Sequence, residues 1–338
     1  MLSLSEGKHA VEICTLVTGK KKQPVYYIDT EDKSRLNNAD TKTLLGGHLP
    51  RLKTGLRITE DHLETALDLL HNDQDPGDED HKQVHKGFWK LRELRHDLLT
   101  REMDIRSERD QHFQIDFPKK KDEFFGHVAC LGATGAGKGW FITSMILRHW
   151  KSTSYLHRRH VFYVSAEASI DRTLDRLRLR KFEEWFHPID VSYEAGENSG
   201  LDPERFWVEK VESQLAEVRN CIVVLDDVQD SYGLASSVLQ TQNRMLRIGR
   251  HRNISVISVF HSIKNGQWTR QLIQSAKHLI LFPKAQQGRT RDFFYEALGM
   301  PRREALELTK FIQKCGRACI VRTSAPVSII CEKYLKLI

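Results

Sequence analysis

The sequence predicts an α/β fold, a three-layer sandwich with a mainly parallel sheet, preceded by a smaller α+β N-terminal domain. Three observations carry this. From Phe125 onward, short apolar runs rich in β-branched residues alternate with stretches of helical period. Those runs are continuously apolar rather than alternating, the pattern of strands covered on both faces. Before residue 120 there are instead two strand-like runs followed by amphipathic helices.

The 338 residues suffice for two domains, and the change of pattern divides them into residues 1–120 and 121–338. In the first part Val11–Val17 and Pro24–Asp29 flank the basic turn GKKKQ, which predicts a β-hairpin. A helix at Glu60–His71 precedes NDQDPGDED (72–80), an acidic linker or insertion containing both Pro and Gly. Val84, Leu91, Leu98 and Ile105 recur with heptad spacing, and Phe88 and Leu94 share their face. This predicts a long helix that either docks on the chain's own core or forms a short coiled-coil arm. FPKKKDEF (117–124) connects the two parts. In the second part HVACLGA (127–133), HVFYVSAE (160–167), CIVVLDD (221–227), ISVISVF (254–260) and HLILFP (278–283) read as buried strands. ACIVRT (318–323) extends the sheet, and helices fill Gly137–Trp150, Asp202–Val218, Gly233–Arg250, Thr269–Ala276 and Arg289–Leu298.

The formal charge of +7 is unevenly spread: −2 over residues 1–120 and +9 over residues 121–338. Residues 231–291 hold ten Lys or Arg and no carboxylate. A solvated face mixes both signs, so a one-signed stretch is the electrostatic footprint of a phosphate-bearing partner. No run approaches the ~20 apolar residues of a membrane span. The start, MLSLSEGKHAVEI, lacks the features of a secretory signal. The six cysteines form no CxxC pair, which argues for reduced thiols rather than a disulfide framework. A soluble, intracellular protein is expected. His81 and His85 share helical spacing, but with no third ligand in sight they read as solvated histidines.

The first strand of the second part runs into Gly132-Ala133-Thr134-Gly135-Ala136-Gly137-Lys138-Gly139. This is the phosphate-binding pattern GxxxxGK (Walker A) in the strand-to-helix context it requires. Its glycines let backbone N–H groups wrap an anion, the helix adds its positive end, and Lys138 reaches the outer phosphates. One position departs: Gly139 stands where Ser or Thr would offer a hydroxyl to Mg2+, which leaves water to fill that place or weakens hydrolysis. The run Ile222-Val223-Val224-Leu225-Asp226-Asp227 is an apolar strand ending in two acids (Walker B). Such acids also occur as turn or cap residues. Paired with the glycine loop, Asp226 is assigned to the metal's water shell and Asp227 to the general base.

The segments LGATGAGKGWFI, VVLDD, GRHRNISVISVFHS and QSAKHLILF, over residues 125–338, together resemble the genome-packaging ATPases of large double-stranded DNA viruses with double jelly-roll capsids. These belong to the FtsK–HerA superfamily of ring-shaped DNA translocases. The resemblance implies ATP and Mg2+ as cofactors and a homo-oligomeric ring, pentamer or hexamer. It also implies double-stranded DNA held through its phosphates, and docking to a capsid vertex or a membrane-associated capsid protein. The expected location is the host cytoplasm or viral factory, or the virion. His261 occupies the family's polar sensor position, usually a glutamine, where an ordinary surface histidine is the alternative. Arg250, after Gly249, resembles the arginine that reaches a neighbour's nucleotide, with Arg247 and Arg252 as rivals. Lys264, Arg270, Lys277 and Lys284 are candidate DNA contacts, with Trp268 either stacking or core. Residues 1–120 would dock the motor or order the ring. Two other readings stay open: a P-loop kinase of a nucleoside or small metabolite, and a nucleotide-bound assembly protein that Gly139 prevents from hydrolysing. A membrane-anchored coupling ATPase of conjugation is disfavoured by the lack of a spanning segment.

Overall fold

In the computed structural model of the chain, residues 2–3, 10–28, 45, 49–71, 74, 82–102, 104–108, 110–166, 168, 170–228, 233–262, 267–284 and 287–337 are described. The candidates Lys264 and His81, the Trp268 side chain and all of the acidic stretch but Gln74 lie outside them. The chain groups into two compact units, one of Met1–Glu12 with Pro24–Arg106 and one of Ile13–Gln23 with Ser107–Lys336. This division does not follow a single cut at residue 120.

In the first unit β1 (Leu2–Ser3) pairs antiparallel with the far end of β3 (Lys21–Ile28), Leu2 opposite Tyr27, and β3 forms a hairpin with β2 (Ala10–Thr18) whose turn and adjoining strand ends fall in the second unit. The turn falls at Gly19-Lys20, within the basic run that predicts it. Helices α1 (Leu49–Leu56), α2 (Glu60–His71) and α3 (Lys82–Glu102) come next. Thr59 caps α2 by accepting the His62 N–H, and Glu60 and Asp61 favour the positive end of the helix. Val84, Phe88 and Leu91 of α3 are buried against Leu63, Ala66, Leu67 and Leu70 of α2. This part of the apolar stripe therefore docks on the chain's own core, and each of Val84, Phe88 and Leu91 contributes about 1.5–3 kcal/mol of burial; the side chains of Leu98 and Ile105 lie outside the described residues. The unit closes with β4 (Asp104–Arg106), where the sequence pattern had continued the helix to Ile105.

In the second unit β2 pairs antiparallel with β5 (Gln111–Gln114), Leu16 opposite Phe113. The main sheet then begins with β6 (His127–Leu131) and α4 (Lys138–Ser152). Next come β7 (His160–Ser165), β8 (Phe186–Asp190), α5 (Tyr193–Ser199), α6 (Pro203–Trp207), α7 (Ser213–Leu215) and β9 (Cys221–Asp226). Helix α8 (Ala235–Arg252), β10 (Ile254–Phe260), α9 (Gln267–Ser275) and β11 (Ala276–Leu281) complete the parallel part. Helices α10 (Gln287–Ala297) and α11 (Arg302–Cys315) lead to β12 (Cys319–Arg322), β13 (Ser328–Cys331) and β14 (Tyr334–Leu337).

Within the second unit the strand order is β14-β13-β12-β11-β6-β10-β9-β7-β8. Pairing is parallel from β11 through β8, and antiparallel where β12 joins β11 and β13 joins β12. With helices on the sheet, this is the three-layer P-loop NTPase fold. The central strands β6, β9 and β10 are buried along their lengths, as continuous apolar runs require, apart from the half-buried Asp226 that ends β9. Strand β8 escapes sequence reading because FHPID contains Pro188, which a strand tolerates at the sheet edge, where β8 lies. The helix expected over Asp202–Val218 is interrupted by a π-turn at Val208–Glu212. There Trp207 is fully buried and donates its indole N–H to Thr241 Oγ1 at 2.9 Å, tying α6 to α8.

Helix α8 lies against the start of β6. His127 donates Nε2–H to the Leu246 carbonyl at 3.1 Å and accepts the Val256 N–H at Nδ1, 3.2 Å. Burial lowers its pKa to about 4, so it is a neutral core residue. A Cβ on Gly249 would stand 2.5 Å from His127 Cε1 and 2.7 Å from the Ile254 carbonyl. The glycine of the Gly249-Arg250 pair thus has a packing cause. Gly249→Ala is expected to lower stability by about 1–3 kcal/mol, measured as an earlier urea midpoint with an unchanged slope.

Candidate functional site

Three adjacent strands end on one edge. Leu131 of β6 is paired with Phe260 of β10, and Val259 of β10 with Asp226 of β9. The next residues along the chain are Gly132, His261 and Asp227, and the Gly132 N–H donates to the Phe260 carbonyl at 3.0 Å. The loop turns at Thr134 and Gly135, and the Ala136 N–H returns to the Ala133 carbonyl at 3.1 Å. Gly137, at φ 101°, delivers the chain into α4, whose first residue is Lys138. A left-handed residue there favours glycine.

Lys138 is 7% exposed, and its ammonium donates to the carbonyls of Gly132 at 2.9 Å and Ala133 at 3.3 Å and to His261 Nδ1 at 3.0 Å. An ammonium only donates, so Nδ1 of His261 is the acceptor and the ring proton sits on Nε2. That nitrogen faces Asp227 Oδ2 at 2.8 Å. His261 therefore bridges the loop lysine and the second strand-end acid. Thr134 Oγ1 also lies 3.1 Å from Nδ1. Asp227 has a φ of 50°, a left-handed conformation found outside glycine chiefly in Asn and Asp and typical of strained functional positions.

Asp226 accepts the phenolic proton of Tyr163 from β7 at 2.5 Å. Burial, above all, raises its carboxyl pKa to about 6; the Tyr163 hydrogen bond opposes this, Asp227 adds to it and Lys138 opposes it. The Tyr163 phenol is pushed well above its usual range by burial and by Asp226. A recessed carboxylate facing the lysine and the loop suits a hard cation such as Mg2+, which keeps several waters and takes few protein oxygens. No group of three or more His, Cys, Asp and Glu that could hold a metal is present among the described residues.

Arg317, which precedes β12, donates to the outer side of the loop, Nε to the Ala136 carbonyl at 2.7 Å and Nη2 to the Gly135 carbonyl at 3.1 Å. In a trans peptide the N–H of Gly137 then points away from Arg317, into the loop's concavity. A cavity of about 300 Å³ opens beside the loop, lined among others by Trp140, Phe141, Phe282 and Arg317. Nothing in the spacing of the sequence singles out Tyr163 or Arg317, because each reaches the site from a distant element. Tyr163 does sit within a strand run, where a polar tip at mid-strand is the available signal.

The other candidates lie apart. Arg250 is exposed at the end of α8, which leads into the start of β10, whereas His261 comes just after its end. At ~3.3 Å per residue, the strand separates them by roughly 20 Å, so Arg250 does not reach the loop. Arg252 donates to the Ala216 carbonyl at 2.5 Å and Arg247 to the Asn243 carbonyl at 3.4 Å. Lys277 is half-buried near the start of β11, Lys284 is exposed three residues past its end, and Arg270 of α9 is exposed. His85 accepts the Trp89 indole N–H at 3.1 Å.

No family model and no curated protein matches the chain. Among solved structures it is similar to the genome packaging NTPase B204 from Sulfolobus turreted icosahedral virus 2 in complex with ATP-gammaS, at 12% identity over 61% of this chain and 96% of that one, TM-score 0.36. It is also similar to the pCW3 conjugation coupling protein TcpA, at 12% identity over 69% of this chain and 66% of that one, TM-score 0.36. A third is the cytoplasmic domain of the Thermomonospora curvata type VII secretion ATPase EccC, at 13% identity over 62% of this chain and 25% of that one, TM-score 0.36. Among the described residues no helix is long and apolar enough to cross a membrane.

The raised pKa of Asp226 has a signed consequence. Its contribution to stability is full below the ordinary carboxylate pKa and is lost as pH rises through about 6. Asp226→Asn is expected to stabilise the metal-free protein by about 2–3 kcal/mol at pH 8 and by under about 1 kcal/mol at pH 4. Urea unfolding in EDTA at the two pH values checks this.

Proposed function

We propose that the protein is an ATPase that drives double-stranded DNA, packaging a viral genome into a preformed capsid as a homo-oligomeric ring. The observation that carries the ATPase reading is the Lys138–His261–Asp227 bridge, which joins a phosphate-seeking ammonium to a carboxylate across adjacent strand ends. Support for DNA comes from the acid-free basic stretch 231–291 and from the resemblance of the loop, acid and GRHRNIS segments to packaging motors.

The phosphates of ATP lie on the N–H groups of the loop and the start of α4. Lys138 leaves the carbonyls of Gly132 and Ala133 for the outer phosphate oxygens. The base takes the cavity beside Trp140, Phe141 and Phe282. Mg2+, when bound, neutralises charge on the phosphate oxygens, and Asp226 would hold its water shell. Asp227 accepts a proton from the water that attacks the terminal phosphorus, and the bond to the departing ADP oxygen breaks. His261 links that carboxylate to Lys138, so arrival of a phosphate is felt at the base. Arg250 from the neighbouring subunit stabilises the charge on the transferring group, a role consistent with its distance from the loop in its own subunit. DNA is gripped through its phosphates, with little reading of bases.

Gly139 favours a second reading, a nucleotide-bound assembly protein without turnover. Phosphate release with and without linear double-stranded DNA separates the two. The motor reading expects turnover that rises with DNA and falls at least ~10²-fold in Asp227→Asn. ATP binding with no turnover in either condition would favour the second. Arg250→Ala subunits mixed with wild type are expected to depress turnover more than in proportion to their share, as a residue acting across subunits requires.

A further inference from the structure

The loop lacks a hydroxyl at residue 139, yet a hydroxyl stands beside that position. A Cβ built on Gly139 would meet Thr173 Oγ1 at 3.2 Å, with Asp171 Oδ2 and Thr173 Cβ next at 4.0 Å. Thr173 comes from the turn of 3-10 helix Arg172–Arg176 that lies after β7 and packs against α4. The space that a Ser or Thr side chain at 139 would enter is thus taken by the side chain of Thr173.

The hydroxyl is also oriented. Thr173 Oγ1 donates to Asp171 Oδ2 at 2.7 Å, and the Thr173 N–H donates to Asp171 Oδ1 at 2.7 Å. With the hydroxyl proton committed to one carboxylate oxygen, the lone pairs of Oγ1 remain to accept. Asp171 caps the turn, so the pair is held by backbone geometry rather than by a free loop. Its charge acts on both Asp226 and Tyr163, which puts the pair on the acid side of the phosphate loop.

We propose that Thr173, oriented by Asp171, supplies the hydroxyl for the nucleotide-bound Mg2+ that Gly139 cannot, so that this chain has moved one cation-facing group from the loop's helix to the segment after β7. Gly139 is then a complement of Thr173: a side chain there would crowd the hydroxyl that replaces it. The proposal rests on the nucleotide reading of the loop and deepens it, and it removes the reason for treating Gly139 as a sign of lost hydrolysis.

The test measures the affinity of the full chain for N-methylanthraniloyl-ATP by fluorescence, in MgCl2 and in EDTA. Wild type is expected to bind more tightly with Mg2+. Thr173→Ala and the near-isosteric Thr173→Val are expected to keep the EDTA affinity and lose about ten- to hundredfold of the Mg2+-dependent tightening. Thr173→Ser should keep it. Gly139→Ser combined with Thr173→Ala should restore it, a rescue that a purely structural role for Thr173 would not produce. If Thr173→Ala melts early, Thr173→Val carries the same comparison with the packing retained. Mg2+-dependent tightening equal to wild type in Thr173→Val overturns the proposal while leaving the nucleotide reading intact. Absence of binding by wild type in both buffers overturns the nucleotide reading itself, and this proposal with it.

Discussion

The hydrogen-bonded register of β6, β10 and β9 is the constraint on which the site depends. Parallel strands paired in register end together, so the residues just past their ends lie side by side regardless of separation in sequence. Gly132, His261 and Asp227 come from three such ends, and the Gly132 N–H to Phe260 carbonyl bond holds the loop's start to the neighbouring strand. A one-residue slip would turn every side chain of a strand to the opposite face. The burial of β6 and β10 along their whole lengths, and of β9 up to its last residue, is what forbids that slip.

On this edge the charges are arranged at some cost to the ligand-free protein. Lys138 is nearly buried and satisfied by two loop carbonyls and an imidazole nitrogen rather than by a carboxylate. Asp226 is recessed, with a tyrosine as its hydrogen-bond donor and a carboxyl that resists ionising. Asp227 sits in a strained backbone conformation beside His261. Lys138 and Asp226 are thus met by neutral groups, where a phosphate or a cation would bring opposite charge. Such electrostatics at a packed edge is the signature of a site prepared for a charged ligand.

The rest of the fold serves that edge from behind. Gly249 lets α8 sit down on His127 at the base of β6, and Arg317 ties the outer carbonyls of the loop. The α2–α3 pair in the first unit has its own core, with Val84, Phe88 and Leu91 packed on Leu63, Ala66, Leu67 and Leu70. Arg250 falls at the opposite end of β10 from the glycine loop.

Periodicity made five of the six parallel strands and most helices legible, because apolar runs and helical spacing are local. The two motifs were legible because GxxxxGK and a pair of acids after an apolar run are contiguous. Strand β8 was not, since Pro188 hides an edge strand, nor was helix α11, nor the π-turn within 202–218. By itself the sequence determined the sheet class, the glycine loop between β6 and α4 with no hydroxyl at residue 139, and the pair of acids at the end of β9. Only the tertiary structure decided that His261 bridges Lys138 and Asp227, that Tyr163 faces Asp226, that Arg317 braces the loop, and that Thr173 fills the space beside Gly139. The reason is physical: those contacts join residues tens to hundreds of positions apart, and strand order and register, not spacing along the chain, bring them together.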